Sequence, residues 1–310
     1  MKEEIIYSMS SPFRDDFRIR GFRFGEGEKT LAVVGSLRGD EVQQLHTCAQ
    51  LVKTLQQIEK RKGLTDGVEI LVIPSANPFS MNIGKRFWAM DGTDINRMFP
   101  GYRLGETTQR IADALFKALQ GYQYGVQMAS SYVAGCYMPH VKLLHTGYED
   151  IQAAGLFGLP YVCVRQPLPF DTTLLNYNWQ IWETKAYSLY GGSNSTLDMQ
   201  VSREVQSAVV RFMERVGLTV ADCRPSAGYR PVVFDESELV CIKAPVSGIF
   251  FAFRKAGDMV NEGDLLAHII HPYKGTVEAV ITAPAGGRLF FSSDKSLALQ
   301  SAPLFKICTA

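Results

Sequence analysis

Residues 35–41 read Gly35, Ser36, Leu37, Arg38, Gly39, Asp40, Glu41, and two of them can do chemistry. The Glu41 carboxylate can ligate a metal or move a proton. The Arg38 guanidinium can do neither. It stays protonated and has no free lone pair, and its planar fork of donors suits a carboxylate or phosphate instead. Three residues apart on an opening helix, Arg38 can reach Glu41 and neutralise it. A second concentration of polar groups follows in Ser75-Ala76-Asn77-Pro78, Gly84-Lys85-Arg86-Phe87 and Asp91-Gly92-Thr93-Asp94-Ile95-Asn96-Arg97-Met98-Phe99-Pro100-Gly101. Its arginines offer bidentate pairing with anions.

These residues must be positioned by the elements around them. Lys29–Gly35 is an apolar run that predicts a strand, and Asp40–Lys62 is amphipathic and rich in Leu, Gln and Lys, so a helix. The turn between them lies at the carboxyl edge of a parallel sheet, where ligands bind in open α/β folds. Val68–Ile73 is a second apolar strand closed by Pro74. Residues 76–103 show no helical periodicity and read as a long loop, a length that usually serves function. Thr107–Gly121 reads as a helix, and Tyr124–Ala129, Val141–Leu144, Tyr161–Val164 and Lys185–Tyr190 as strands. Leu197–Val216 is a last helix. Strands alternating with helices imply a mostly parallel sheet covered on both faces.

The composition shifts at Cys223-Arg224-Pro225-Ser226-Ala227-Gly228-Tyr229-Arg230-Pro231, which reads as a linker. Beyond it come short strands and glycine turns. Ala244-Pro245-Val246-Ser247-Gly248-Ile249-Phe250-Phe251 is echoed by Ala283-Pro284-Ala285-Gly286-Gly287-Arg288-Leu289-Phe290-Phe291. Two related β halves suggest a small barrel or sandwich. The expected division is therefore an α/β domain over residues 1–225 and an all-β domain over residues 226–310.

Bulk properties exclude several classes. The chain has 310 residues, ample for a core, and a net charge of +1. Nothing in that balance asks for nucleic acid or an anionic membrane. Met1–Arg20 is polar and holds no apolar run suited to a signal peptide, and no later stretch has membrane-spanning length. The six cysteines, Cys48, Cys136, Cys163, Cys223, Cys241 and Cys308, form no Cys-x-x-Cys pair. They read as reduced, mostly buried thiols of a cytoplasmic protein. Exposed β edges in the C-terminal part favour self-association into a homo-oligomer.

The Asp-Ile-Asn-Arg-Met-Phe-Pro-Gly block, the Asn77-Pro78 and Arg86-Phe87 pairs, Pro139-His140-Val141 and Phe157-Gly158-Leu159-Pro160 together resemble the succinylglutamate desuccinylase/aspartoacylase family of the zinc carboxypeptidase clan. The resemblance covers almost the whole chain. It implies a zinc-carboxypeptidase-like fold: a mixed, mostly parallel sheet with helices on both faces, plus a C-terminal β barrel-sandwich domain. It also implies zinc held by a His-x-x-Glu turn and a later histidine, with a glutamate as general base. The expected reaction is hydrolysis of an N-acyl amino acid or a similar small amide or ester. Carried over residue by residue, Glu41 matches the ligand glutamate, and Arg86, Asn96 and Arg97 match substrate-binding positions. Arg38 stands at the first histidine position and Ala129 at the second. The stretch Ser188-Leu189-Tyr190-Gly191-Gly192, where the general base is expected, has no carboxylate.

Zinc needs about three deprotonated, convergent protein ligands, so Glu41 alone does not hold it. His145, in Leu144-His145-Thr146-Gly147, is an alternative ligand by a register shift. His46, His140, His268 and His271 read as packing or turn residues. Asp171 and Glu183, in and beside the aromatic run Phe170–Trp182, are the nearest substitutes for the general base. Lys274 is the modifiable-lysine candidate suggested by a likeness of the C-terminal piece to biotinyl and lipoyl carriers, but its neighbours do not match a carrier motif. Two classes of function stay open. One is a deacylase-type hydrolase with an altered site. The other is a non-catalytic relative that binds a small anion through Arg38, Arg86, Asn96 and Arg97, with the Arg38 charge partly replacing that of the metal.

Overall fold

The structure is a computed structural model, and it describes residues 1–193, 196–220 and 228–309. Strands β1 (Lys2–Met9), β2 (Phe17–Phe24) and β3 (Gly27–Ser36) open the chain. They are followed by α1 (Val42–Lys60), β4 (Gly67–Ser75), α2 (Pro78–Asn82), α3 (Thr107–Leu119), β5 (Tyr124–Met128) and β6 (Cys136–Leu144). Then come α4 (Ile151–Gly155), β7 (Tyr161–Arg165), α5 (Leu175–Ile181), β8 (Lys185–Gly192) and α6 (Met199–Arg215). The C-terminal part is all strand: β9 (Val232–Asp235), β10 (Val240–Lys243), β11 (Gly248–Ala252), β12 (Met259–Val260), β13 (Leu265–Ile270), β14 (Val277–Thr282), β15 (Gly287–Ser292), β16 (Leu297–Ala298) and β17 (Pro303–Cys308).

The main sheet runs β1-β2-β4-β3-β5-β8-β6 and continues through β7 to β9. Its centre, β4-β3-β5-β8, is parallel, as are the β6-β7 and β7-β9 pairs. The β1-β2, β2-β4 and β6-β8 pairs are antiparallel. The sheet is therefore mixed. Burial on both faces explains the continuous apolar run of β3: Leu31, Ala32, Val33 and Val34 are all fully buried. Alternation along the strand sends Leu31 and Val33 to the layer of α1 and α6, and Ala32 and Val34 to the layer of α3 and α5.

The structure adds detail to three segments. Met1–Arg20, read above only as polar, holds β1 and the start of β2. In β2, Phe17 and Ile19 are buried while Arg18 and Arg20 face solvent, a period-two pattern. The loop 76–103 contains α2, with its N-terminus capped by Asn77, and a 3-10 turn at Ile95–Arg97. The aromatic run 170–182 forms a 3-10 turn and α5, where Leu175 and Trp179 are fully buried, so it packs the core.

In the C-terminal part the sequence repeat is a structural one. The pairs β11-β13, β11-β16 and β13-β14 of one half correspond to β15-β17, β12-β15 and β10-β17 of the other. One group forms a separate sheet, β14-β13-β11-β16, and the other joins the main sheet through β15 and β6. Phe250, Leu266, Ile269, Leu289, Phe305 and Ile307 fill the core between them. Residues 223–227 of the expected linker lie outside the described residues. No helix among the described residues is long and apolar enough to cross a membrane.

Candidate functional site

The turn after β3 is drawn tightly onto the loop that follows β4. The Gly39 N–H donates to the Arg86 carbonyl at 2.9 Å, and a Cβ at Gly39 would lie 2.2 Å from the Lys85 carbonyl oxygen. Only glycine allows this approach. Gly39→Ala is expected to cost about 1–3 kcal/mol through overpacking, read as a lower urea midpoint.

That approach builds a buried ion-pair network. Arg38 is 5% exposed. Its Nε donates to both Asp94 carboxylate oxygens at 3.2 and 3.1 Å, and its Nη2 to Oδ2 at 2.8 Å. Its Nη1 lies 3.5 Å from Glu41 Oε1 and donates to the Ser130 carbonyl at 3.3 Å. Glu41 is 1% exposed. Its Oε2 accepts the Arg38 backbone N–H at 3.0 Å, and its Oε1 accepts the Ser130 hydroxyl. Burial pushes the Glu41 carboxyl above the usual carboxylate range, with Arg38 and Ser130 pulling against it. Burial also works against the Arg38 charge, but Glu41 and Asp94 outweigh it and raise the guanidinium's pKa. One cation thus faces two carboxylates, so Arg38 adds no net positive charge here. Asp94, placed by the sequence in the loop but assigned no role, is its main partner.

Ala129 follows β5, the strand beside β3, next to Ser130. Its N–H donates to the Leu189 carbonyl at 2.8 Å, and its own carbonyl accepts from Gln44 at 3.2 Å. The structure therefore brings together the three positions that the resemblance singled out: 38, 41 and 129. Arg86 pairs with Asp40 at 3.0 and 2.7 Å and donates to the Ser131 carbonyl at 2.9 Å. It braces the turn from outside. Asn96 is buried, and its side-chain oxygen accepts the Leu175 N–H at 3.4 Å. Arg97 is more open. Its Nη1 donates to the Phe170 carbonyl at 2.9 Å, and its guanidinium lies over the Phe170 ring at 5.1 Å and the Tyr132 ring at 6.0 Å.

Arg38, Asn96 and Arg97 border a cavity of about 240 Å³, and Arg86 is not among its lining residues. The far wall holds a cluster that the sequence reading missed: Lys142 from β6, Arg165 from β7, Lys306 from β17 and Glu236 from the turn after β9. No motif marks it, because four distant segments supply it. Glu236 takes Lys142 at 2.7 Å, Lys306 at 3.2 Å and Arg165 at 3.4 Å. Burial opposes its charge, but the two lysines pull its pKa down to about 2.

The remaining candidates are accounted for by local contacts. His46 meets Ser202 at 2.8 Å between α1 and α6, and His145 pairs with Glu149 on an exposed turn. His271 accepts N–H groups of its own hairpin, which also holds Lys274, and His268 lies in β13 against Phe253. Asp171 binds Arg165 and the Leu168 N–H, both at 2.7 Å. Glu183 is exposed at the end of α5 and is not among the cavity-lining residues. The described cysteines are all free, with Cys241 exposed and Cys136 half-buried. Among the described residues no group of three or more His, Cys, Asp or Glu could hold a metal ion.

His140, buried in β6, does line the cavity. Its Nδ1 meets the Met138 carbonyl at 2.8 Å, and its ring stacks on Tyr190 at 5.0 Å. A carbonyl only accepts, so Nδ1 carries the proton and Nε2 is bare. Burial, with Lys142 and Lys306 nearby, lowers its pKa from 6.5 to about 3. The unfolded chain takes up that proton near 6.5 and the folded one does not. Folding stability is therefore expected to fall as pH drops from 6.5 toward 3. Glu236 adds to the loss below 4.5, where the unfolded carboxylate protonates first. In urea titrations across this range, His140→Phe is expected to flatten the part between 6.5 and 4.5.

Comparison with known proteins agrees with this architecture. The family model of the succinylglutamate desuccinylase/aspartoacylase catalytic domain matches residues 27–181. The chain is 32% identical over 259 residues to N-alpha-acetyl-L-2,4-diaminobutyric acid deacetylase of Halomonas elongata, covering 79% of this chain and 71% of that one. A succinylglutamate desuccinylase from Silicibacter superposes with a TM-score of 0.81 at 17% identity, covering 99% of this chain and 94% of the other. The product-bound ectoine utilization protein of Ruegeria pomeroyi gives 0.76 at 16% identity, with 95% and 90% covered. By family model, sequence relative and fold, the chain belongs to the succinylglutamate desuccinylase/aspartoacylase family.

Proposed function

We propose that this chain is a non-catalytic member of that family that binds a small carboxylate, with an ion-pair network standing where relatives of the clan hold zinc. The observation that carries this reading is Arg38, whose guanidinium spans Glu41 and Asp94. Glu41 already accepts from the Arg38 N–H and the Ser130 hydroxyl. Ala129 offers no donor atom, and a guanidinium repels a cation and cannot ligate it. The donor set does not fit a zinc ion, so no hydrolytic step is routed through one. A metal-free step would need a base, and the cavity supplies none suited to it: His140 is held at low basicity, and Glu236 and Asp171 are paired.

Of the expected binding residues, Arg97 is the one placed to meet a ligand. It lines the cavity, is less buried than Arg38, and has only a distant carboxylate partner, Asp94 at 4.0 Å, while Asn96 beside it helps to fix the loop. Arg38 forms part of the wall and Arg86 braces the turn behind it, and the charge of both is spent internally. This revises the earlier expectation that the Arg38 charge stands in for the metal.

The competing reading is a deacylase, favoured by the 32% identity to a deacetylase. Two assays separate them. Incubation with N-alpha-acetyl-L-2,4-diaminobutyric acid or an N-acyl acidic amino acid is expected to release no acid above the buffer control. Calorimetric titration with succinate is expected to show saturable binding that Arg97→Gln weakens about tenfold, the loss of one charge-assisted contact. Turnover abolished by Glu41→Gln would establish the hydrolase instead.

A further inference from the structure

The charges around the far wall of the cavity do not balance. Lys142, Arg165 and Lys306 stand against Glu236 and Asp171. Each lysine commits one of its three N–H donors to Glu236. The Arg165 Nε–H is buried without a hydrogen-bond partner, although Glu236 Oε2 lies 3.4 Å away. Tyr190 lines the same wall and lies under the Lys142 ammonium, with 5.9 Å from nitrogen to ring centre. A structural ion cluster would pair these donors and close over them. Here Lys142, Arg165 and Lys306 line an open cavity instead, and the Arg165 Nε–H is left as an unpaired buried donor, which is costly.

We propose that this wall is an oxyanion-binding subsite, assembled by Lys142, Arg165 and Lys306, in which Glu236 is an internal counter-ion. The ligand class is a carboxylate or phosphate group small enough for a 240 Å³ cavity. It docks beside Glu236, takes the uncommitted lysine donors, and offsets the excess positive charge that Arg165 adds to the wall. The subsite spans β6, β7, β17 and the turn after β9, so the anion also ties the C-terminal strands to the main sheet. This rests on the reading of the cavity as a ligand site, and it adds a second place of attachment opposite Arg97. A ligand with anionic groups at both ends would engage both.

Glu236 gives the proposal an unusual sign. Its carboxylate competes with the ligand for the same cations, so removing its charge strengthens binding. A purely structural Glu236 would weaken binding, or leave it unaltered, when neutralised. The test titrates the full chain with succinate and, separately, with inorganic phosphate at fixed ionic strength. Glu236→Gln is expected to tighten whichever probe binds by about threefold or more, and Lys306→Gln to loosen it by about tenfold, both consistent with single charge-assisted contacts. Tightening confined to phosphate identifies a phosphate site, and tightening confined to succinate a carboxylate site. Thermal melts confirm folding, and Lys306→Gln keeps the test open if Glu236→Gln unfolds. Binding unaltered by both variants but weakened by Arg97→Gln would overturn the subsite while leaving the Arg97 site standing. No saturable binding of either probe to the parent protein would overturn both.

Discussion

Arg38→Ala is expected to destabilise the fold by about 3–5 kcal/mol, the usual cost of removing one partner from a buried ion pair. The reason lies in what it leaves behind. Glu41 and Asp94 are 1% and 8% exposed, and both would remain inside without their shared cation. Glu41 would keep only the Arg38 N–H and the Ser130 hydroxyl. Its carboxyl, already pushed up by burial, would protonate more readily. Urea unfolding near neutral pH checks the magnitude. A combined Arg38→Met, Glu41→Gln, Asp94→Asn variant removes all three charges together. It is expected to recover part of the loss, because no charge is then left unpaired. A surface-like cost below about 1 kcal/mol for Arg38→Ala would mean that the network holds little of the site together.

The second large effect is a gain. Arg38→His combined with Ala129→His is expected to create a zinc site. The turn after β3 and the end of β5 already flank the Glu41 carboxylate: Arg38 Nη1 lies 3.5 Å from it, and Ser130, next to Ala129, donates to it. Two imidazoles there would join Glu41 as three convergent ligands, the number used by catalytic zinc sites. Calorimetry with zinc alone is expected to give one site per chain in the double variant. Either single variant is expected to bind far more weakly, because two ligands rarely hold zinc against water. A double variant that folds without taking up zinc would show that the backbone at residues 38 and 129 has itself departed from a metal-binding geometry.

How much of this was legible in the sequence depends on how local each feature is. The strand of Leu31–Val34 and the turn at Arg38 could be read because apolar burial and the following helix lie within one short stretch. The partnership of Arg38 with Glu41 could be read from their spacing. The stronger partnership with Asp94 could not, since it is set by how the loop after β4 folds back, and that depends on Gly39 meeting the Lys85–Arg86 backbone. β2 was readable from the alternation of Phe17, Arg18, Ile19 and Arg20, but its charged face disguised it. The cluster of Lys142, Arg165, Glu236 and Lys306 carried no signal at all. Each residue taken alone resembles an ordinary surface charge, and only the pairing of β6 with β7, β7 with β9, β15 with β6 and β15 with β17 brings them to one cavity.

The most direct measurement is the zinc content of the parent protein after saturation with zinc and removal of the unbound metal. A site built on the Arg38 ion pairs with Glu41 and Asp94 is expected to retain no stoichiometric zinc. One zinc per chain, lost in Glu41→Gln, would contradict it, because Glu41 would then have to release Arg38 and serve as a ligand.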